Sequence, residues 1–227
     1  MKRILAPILL LVFLFPSFAF GETIKDLVKQ DGLYYKKFSE VPFTGKVTGR
    51  EQGAFKNGKK VGPWVIAWHN GLIAWEGTYR KGKLEGPWVR YWSNEKLWKE
   101  ITYKNGRKDG PWVEYYRDGQ LEEKRTYKKG KRDGPWVYYY PNGQLRTTGT
   151  YRTGKKEGHW VDYYKNGQLR AKGTYKNGKK DGPLLVYYDN GHLFSKETYK
   201  NGNTVGHWVY HYPNGDLWSK GTYEDGL

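Results

Sequence analysis

Two short runs of pleat-forming residues alternate along most of the chain. One reads Trp-Val-x-Tyr-Tyr, as at Trp160–Tyr164, and the other reads Leu-x-x-Lys-Gly-Thr-Tyr, as at Leu169–Tyr175. Both are rich in residues that suit a half-buried pleated surface. Asn-Gly or Asp-Gly separates them in most units, as at Asp118-Gly119 and Asn166-Gly167, with Asn94-Glu95 the exception. Those dipeptides accept positive φ and mark hairpins. A second turn, Lys-Asn-Gly-Lys-Lys in its fullest form, carries Gly58, Gly82, Gly106, Gly130, Gly154, Gly178 and Gly202 in one frame. The prolines Pro63, Pro87, Pro111, Pro135 and Pro183 are expected to open strands, where a missing N–H is tolerated. Only Pro87–Asn105 is long and glycine-free enough to suggest a helix, and its counterparts are broken by turn dipeptides. The pattern predicts hairpin after hairpin.

The period is strict. Gly-Pro-Trp begins at Gly62, Gly86, Gly110 and Gly134, Gly-His-Trp at Gly158 and Gly206, and Gly-Pro-Leu at Gly182, always 24 residues apart. Such self-similarity signals a repeat architecture, in which each unit buries its face only against its neighbours. Residues 53–61 read as the second half of an earlier unit, with Phe55 in the Tyr place, so the array spans 53–227. Residues 22–52 depart from the pattern and read as an N-terminal cap with a degenerate first repeat. One hairpin is marginal in water, but sixteen strands about 4.8 Å apart would extend roughly 75 Å. The expected fold is all-β: tandem hairpins stacked into an elongated, twisted single-layer antiparallel sheet or open β-solenoid.

The unit Gly-x-Trp-x-x-Tyr-Tyr-x-Asn-Gly-x-Leu-x-x-x-Gly-x-Tyr-x-x-Gly, from about Phe43 to Leu227, resembles the MORN-repeat variant of bacterial proteins. Many of these are classed as YwqK-family antitoxins of toxin–antitoxin systems. The resemblance implies a binding or scaffolding module associated with membranes or proteins, and the antitoxin class implies a toxin protein as partner.

Residues 1–21 read as an address. Lys2-Arg3 precedes an apolar run from Ile4 to Phe20, and Ala19-Phe20-Gly21 offers small residues at a cleavage site, the layout of a secretory signal peptide. The run holds Pro7 and Pro16 and is short for a spanning helix, so no transmembrane segment is expected after cleavage. The mature chain then begins near Glu22 in the periplasm or outside the cell, and a toxin partner would be exported too. Export argues against nucleic acid as the natural partner. The chain has no cysteine, which excludes disulfides and thiolate metal sites.

Composition sharpens this picture. With 30 Gly, 21 Tyr and 11 Trp and a mean hydropathy of −0.92, the chain has rings to bury but too little else for a thick core. The formal charge of +17 favours an anionic partner such as a phospholipid surface, a cell-wall polymer or an acidic protein. It is periodic: Lys59-Lys60, Lys83, Arg107-Lys108, Lys131-Arg132, Lys155-Lys156 and Lys179-Lys180 recur in one turn, as a basic rail along one edge.

No catalytic pattern interrupts the repeat, and no enzyme, metal or cofactor is expected. His207 and His211 lie about 13 Å apart on a strand, too far to grip one ion. The acids Glu85, Asp109, Asp133, Glu157 and Asp181 recur one repeat apart and read as charge-balanced turns. Fixed rings, Trp64 to Trp208 and Tyr79 to Tyr223, read as a packing ladder. Rings at variable places are candidate contacts instead. Trp98, Phe194 and Trp218 follow the Leu of the second strand, where other units are read as carrying Ile73, Glu122, Arg146 and Arg170, and Trp75 lies two places further on, where other units are read as carrying mostly Lys. Exposed rings of this kind make cell-wall glycan or lipid binding the rival to a protein or anionic partner. Oligomeric state is not legible.

Overall fold

The computed structural model describes residues 21–223, so the export segment before Gly21 and the last four residues lie outside the described residues. The N-terminal part contains β1 (Glu22–Thr23), β2 (Leu27–Gln30), β3 (Leu33–Lys36), β4 (Gly45–Thr48) and β5 (Glu51–Lys56). The repeats then alternate a nine-residue and an eight-residue strand: β6 (Lys59–Ala67) and β7 (Ile73–Arg80), β8 (Lys83–Tyr91) and β9 (Leu97–Lys104), β10 (Arg107–Tyr115) and β11 (Leu121–Lys128). They continue with β12 (Lys131–Tyr139), β13 (Leu145–Arg152), β14 (Lys155–Tyr163), β15 (Leu169–Lys176), β16 (Lys179–Tyr187), β17 (Leu193–Lys200), β18 (Asn203–His211) and β19 (Leu217–Tyr223), which has seven residues. From β4 to β19 each strand pairs antiparallel with the next, and β1 runs parallel to β4. The result is one open sheet of 17 strands, not closed into a barrel. Strands β2 and β3 form a separate hairpin.

The two turns differ in kind. In the Lys-Asn-Gly-Lys turn both central residues have positive φ, as at Asn105 (51°) and Gly106 (78°). That is the I′ geometry whose twist matches the flanking strands. The other turn is wider: Trp68 N–H donates to Leu72 O and Gly71 N–H to Trp68 O, and of Asn70-Gly71 only the glycine has positive φ (85°). Glu95 holds the same left-handed position at 64° in place of glycine.

The prolines do not open strands. Pro63 is the fifth residue of β6, where Gln52 pairs Val65 but Ala54 pairs Val61, so Gly62-Pro63 bulges out of the ladder toward β5. The missing N–H therefore breaks no ladder bond, and Gly62 supplies the positive φ of 67° that the bulge needs. His159 and His207 take the proline place, each within reach of its cross-strand threonine, with Nδ1 3.5 Å from Thr174 Oγ1 and 2.9 Å from Thr222 Oγ1.

Rings occupy one face. Trp64 is opposite Gly77, which is opposite Trp88 on its other side. The rings lie over glycines: a Cβ on Gly53 would come within 2.3 Å of the Trp64 ring, and one on Gly149 within 2.3 Å of Trp160. Tyrosines stand between them edge-on, Tyr79 being 5.8 Å from Trp64 and 5.4 Å from Trp88. The opposite face alternates Val65, Val89, Val113, Val137 and Val161 with Glu76, Glu100, Lys124, Thr148 and Lys172, whose stems cover the valines. At the N-terminal end Phe43 and Tyr34 pack on Phe55 at 5.6 and 4.8 Å, sealing the first rung with Leu27, Val47 and Trp64.

Candidate functional site

The I′ turns form one edge of the sheet. On it Arg80 is directly opposite Lys83, Lys104 opposite Arg107, Lys128 opposite Lys131, Arg152 opposite Lys155 and Lys176 opposite Lys179. All ten side chains are exposed. Among the described residues the repeating acids form no ion pair with them and bind the backbone instead. Glu85 accepts the N–H of Asn105 at 2.8 Å, Asp133 that of Thr153 at 3.0 Å, and Glu157 that of Asn177 at 2.8 Å, each from the turn one repeat on. Among the described residues the ion pairs involve Lys36, Lys60, Lys99 and Arg125, none on this edge. Between successive turns lies a hollow of about 460 Å³ lined by Lys83, Lys104, Arg107 and Lys129, with Asp109 the one acid.

The fold separates the two members of each basic pair. Lys83, Arg107, Lys131, Lys155 and Lys179 are exposed, whereas Lys108, Arg132, Lys156 and Lys180 are half-buried on the ring face. Lys108 Nζ lies 4.2 Å from the Trp112 ring centre, Lys156 4.1 Å from Trp160, Lys180 4.4 Å from Tyr199, and the Arg132 guanidinium 5.1 Å from Tyr151. Consecutive strand residues point to opposite faces, so one of any such pair must turn inward. Burial pushes the Lys156 ammonium below its ordinary value, and the nearby Asp162 charge partly restores it. These four are the lid of the ladder, held by cation–π attraction.

The variable rings part company as well. Trp75 and Trp98 clasp the Arg90 guanidinium, which is 4.1 Å and 3.8 Å from their ring centres, and Trp92 stacks on the other side of Trp98 at 4.2 Å. Trp98 Nε1 donates to Glu114. Burial works against the Glu114 charge, but Lys99 above all, with Trp112 and Arg125, holds its carboxyl below the usual range. The register also corrects the frame read for Trp75. Ile73, not Leu72, is the counterpart of Leu97 in the 24-residue frame, so Ala74 holds the Trp98 place and Trp75 lines up with Lys99, Glu123, Thr147, Ala171 and Ser195, a row that is not mostly Lys. Phe194 packs edge-on against Tyr188 and Tyr210 at 5.2 and 5.6 Å. Trp218 alone of the four is open, 56% exposed, beside Tyr212 and Leu217 at 48% and 50%.

The break at Leu184 was legible as Gly-Pro-Leu, but its consequence was not. Where Leu184 replaces Trp, the ring face opens into a cleft of about 310 Å³ lined by Arg146, Asp162, Arg170, Ala171, Lys180 and Val186, among others. The missing signal was the row two residues beyond the tryptophans, which holds Arg90, Glu114, Tyr138 and Tyr210 elsewhere but only Asp162 and Val186 here. The second Tyr of the Tyr-Tyr pair was also unread: Tyr116, Tyr140, Tyr164 and Tyr188 each donate to the carbonyl 23 residues on, at 2.7–3.0 Å, and so staple one unit to the next.

An open sheet of hairpins, with a charged edge and one ring-lined face, defines an extended-surface repeat protein. Six successive segments, 84–105, 108–129, 132–152, 156–177, 180–201 and 204–225, match the MORN repeat variant and cover more than half of the chain. The chain belongs to the MORN repeat variant family, whose repeats are in general binding and scaffolding modules and typically non-catalytic. No curated protein matches it. No helix among the described residues is long and apolar enough to cross a membrane.

Proposed function

We propose that this protein is an exported module that binds a linear polyanion along its I′-turn edge. The observation that carries the reading is the set of like-charged pairs facing each other there without an ion partner among the described residues. Like charges directly opposite on a sheet destabilise it, whereas a bound anion turns the same pairs into a clamp. Charge that served only to protect a sheet rim would do so equally well with Glu opposite Lys. Hairpins recur about every 10 Å, close to the screening length of roughly 8 Å at physiological salt, so their fields overlap into one continuous strip. Twist rotates successive strands by about 20–25°, and the strip therefore winds. A flexible polymer such as a phosphate-bearing cell-wall chain can follow it, while a flat bilayer meets only a few turns.

The test uses polyphosphate as the polymer and vesicles of phosphatidylglycerol as the surface, each titrated at two salt concentrations. Polyphosphate is expected to bind with a steep salt dependence. Replacing Lys83, Arg107, Lys131 and Lys155 with Gln should weaken binding far more than any single change, since each attachment makes the next nearly intramolecular. Affinity unmoved by salt and by the fourfold change, or binding to vesicles alone, overturns the polymer reading. Export belongs to the same proposal, and an intact mass that begins near Glu22 is its expected signature. A second reading, a protein partner such as an exported toxin, draws on the open cluster of Tyr212, Leu217 and Trp218. Salt-resistant co-purification of one protein, lost in Trp218→Ala, would favour it.

A further inference from the structure

We propose that the cleft beside Leu184 is a second binding site, which takes an aromatic ring carrying an acidic group. The ladder sets what is missing there. Trp136 meets Tyr151 at 6.1 Å, Trp160 meets Tyr175 at 6.1 Å and Trp208 meets Tyr223 at 6.0 Å. Trp160 also meets the Tyr151 before it, at 5.1 Å. With Leu at 184, Tyr175 keeps Trp160 but lacks the second tryptophan that Tyr151 has, and Tyr199 lacks the one before it. The neighbouring row offers no substitute, because Thr147, Ala171 and Val186 are all small.

The opening of about 310 Å³ is at the lower end of small-ligand pockets, roughly 300–1,000 Å³, and has room for one ring system. A planar ring entering it finds Tyr175 for edge-to-face contact and Ala171, Leu184 and Val186 beneath. The margin sets its charge. Arg146 lies near Tyr138 and Tyr140, 5.1 and 5.4 Å from their centres, and Arg170 lies 5.9 Å from Tyr164; both arginines are exposed and open to an incoming anion. Lys180 adds a third positive charge. The only acid on the margin, Asp162, already accepts a hydrogen bond from Thr147 at 2.7 Å. Such a margin grips a carboxylate in bidentate fashion and repels a cation, and a neutral sugar ring would leave it unpaired. The ring and its acid could arrive as a free aromatic acid or as an acidic aromatic stretch of a peptide.

Indole-3-acetate and the peptide acetyl-Asp-Trp-Glu-amide, titrated into the full chain with labelled Leu and Val methyls, distinguish the two sources by relative affinity. Either is expected to shift the methyl signals of Leu184 and Val186, and indole without the carboxylate should bind about tenfold more weakly. Leu184→Trp fills the opening and restores the repeat, so it folds and should abolish the shifts while polyphosphate binding stays unchanged. Joint replacement of Arg146 and Arg170 with Gln should weaken the acid by about tenfold or more and leave indole unaffected. Silent Val186 and Leu184 methyls, equal binding by Leu184→Trp, or equal binding of indole and its acid overturns the proposal. None of these outcomes bears on the basic edge.

Discussion

Trp64 and Leu184 hold the same place in two repeats five units apart, yet their surroundings are opposites. Trp64 is 1% exposed, lies over Gly53, and is walled by Phe55 at 5.2 Å and Tyr79 at 5.8 Å. Leu184 lies over Gly173 with only its Cδ1 near the glycine, and beside it the face is open. In a sheet one layer thick there is no second layer to compensate. Each rung is as solid as the ring on it and the two rings beside it, so a single Trp-to-Leu exchange becomes a local opening. The comparison shows how a repeat protein makes a site: by omission at one unit.

The largest effect is expected from Trp64→Ala, about 3–5 kcal/mol in urea unfolding, because the ring is fully buried in the capped end. The same change at Trp136, which is half-buried and hydrogen-bonded through Nε1 to Glu123, should cost less. Equal losses at both would show that the cap adds nothing.

Gly149→Ala and Gly173→Ala sharpen the contrast with one methyl group. The new Cβ at 149 lies 2.3 Å from the rigid Trp160 ring, whereas at 173 it lies 2.8 Å from the Leu184 tip, which can swing away. A loss of about 1–3 kcal/mol is expected at 149. At 173 the change should be near zero, since the reduced freedom of the unfolded chain offsets the adjustment. Matching losses would mean that Leu184 closes the rung as firmly as Trp160 does.

Alkaline pH tests the ladder as a whole. Burial pushes the hydroxyls of Tyr79, Tyr103, Tyr115 and Tyr175 above the ordinary value of 10.0. A pKa raised in the folded state contributes stability that is full below pH 10 and is lost as pH climbs through the raised values. Lys60 and Lys156, lowered by burial from 10.5, work the other way over the same window but are fewer. The urea midpoint should therefore hold up to about pH 10 and fall above it, with tyrosinate absorbance rising as the protein unfolds. A flat midpoint would place these tyrosines in water.

The smallest effect is local. Amides of Gly182–Tyr188 should exchange before those of Gly158–Tyr164, because arrays behave nearly as nearest-neighbour sums. Uniform protection across both units would remove the weak joint.

Sequence alone determined the hairpin period, the strand and turn alternation, the ring ladder and the family. All of these depend on patterns local to 24 residues, repeated without insertion. Only the tertiary structure showed that one residue of each basic pair is held on the ring face. Across the bulge at Gly62-Pro63 and its counterparts the ladder toward the preceding strand slips by two residues, an even number that leaves the alternation intact, so the residue four before each ring position shares its face. Likewise a place tolerant of charge in one unit and aromatic in another looked exposed, but Trp75 and Trp98 turned inward on Arg90, a partner from the strand between them. The cleft at Leu184 was beyond reach for the same reason. It is bounded by residues from β13 to β16, which are neighbours only once the sheet has formed.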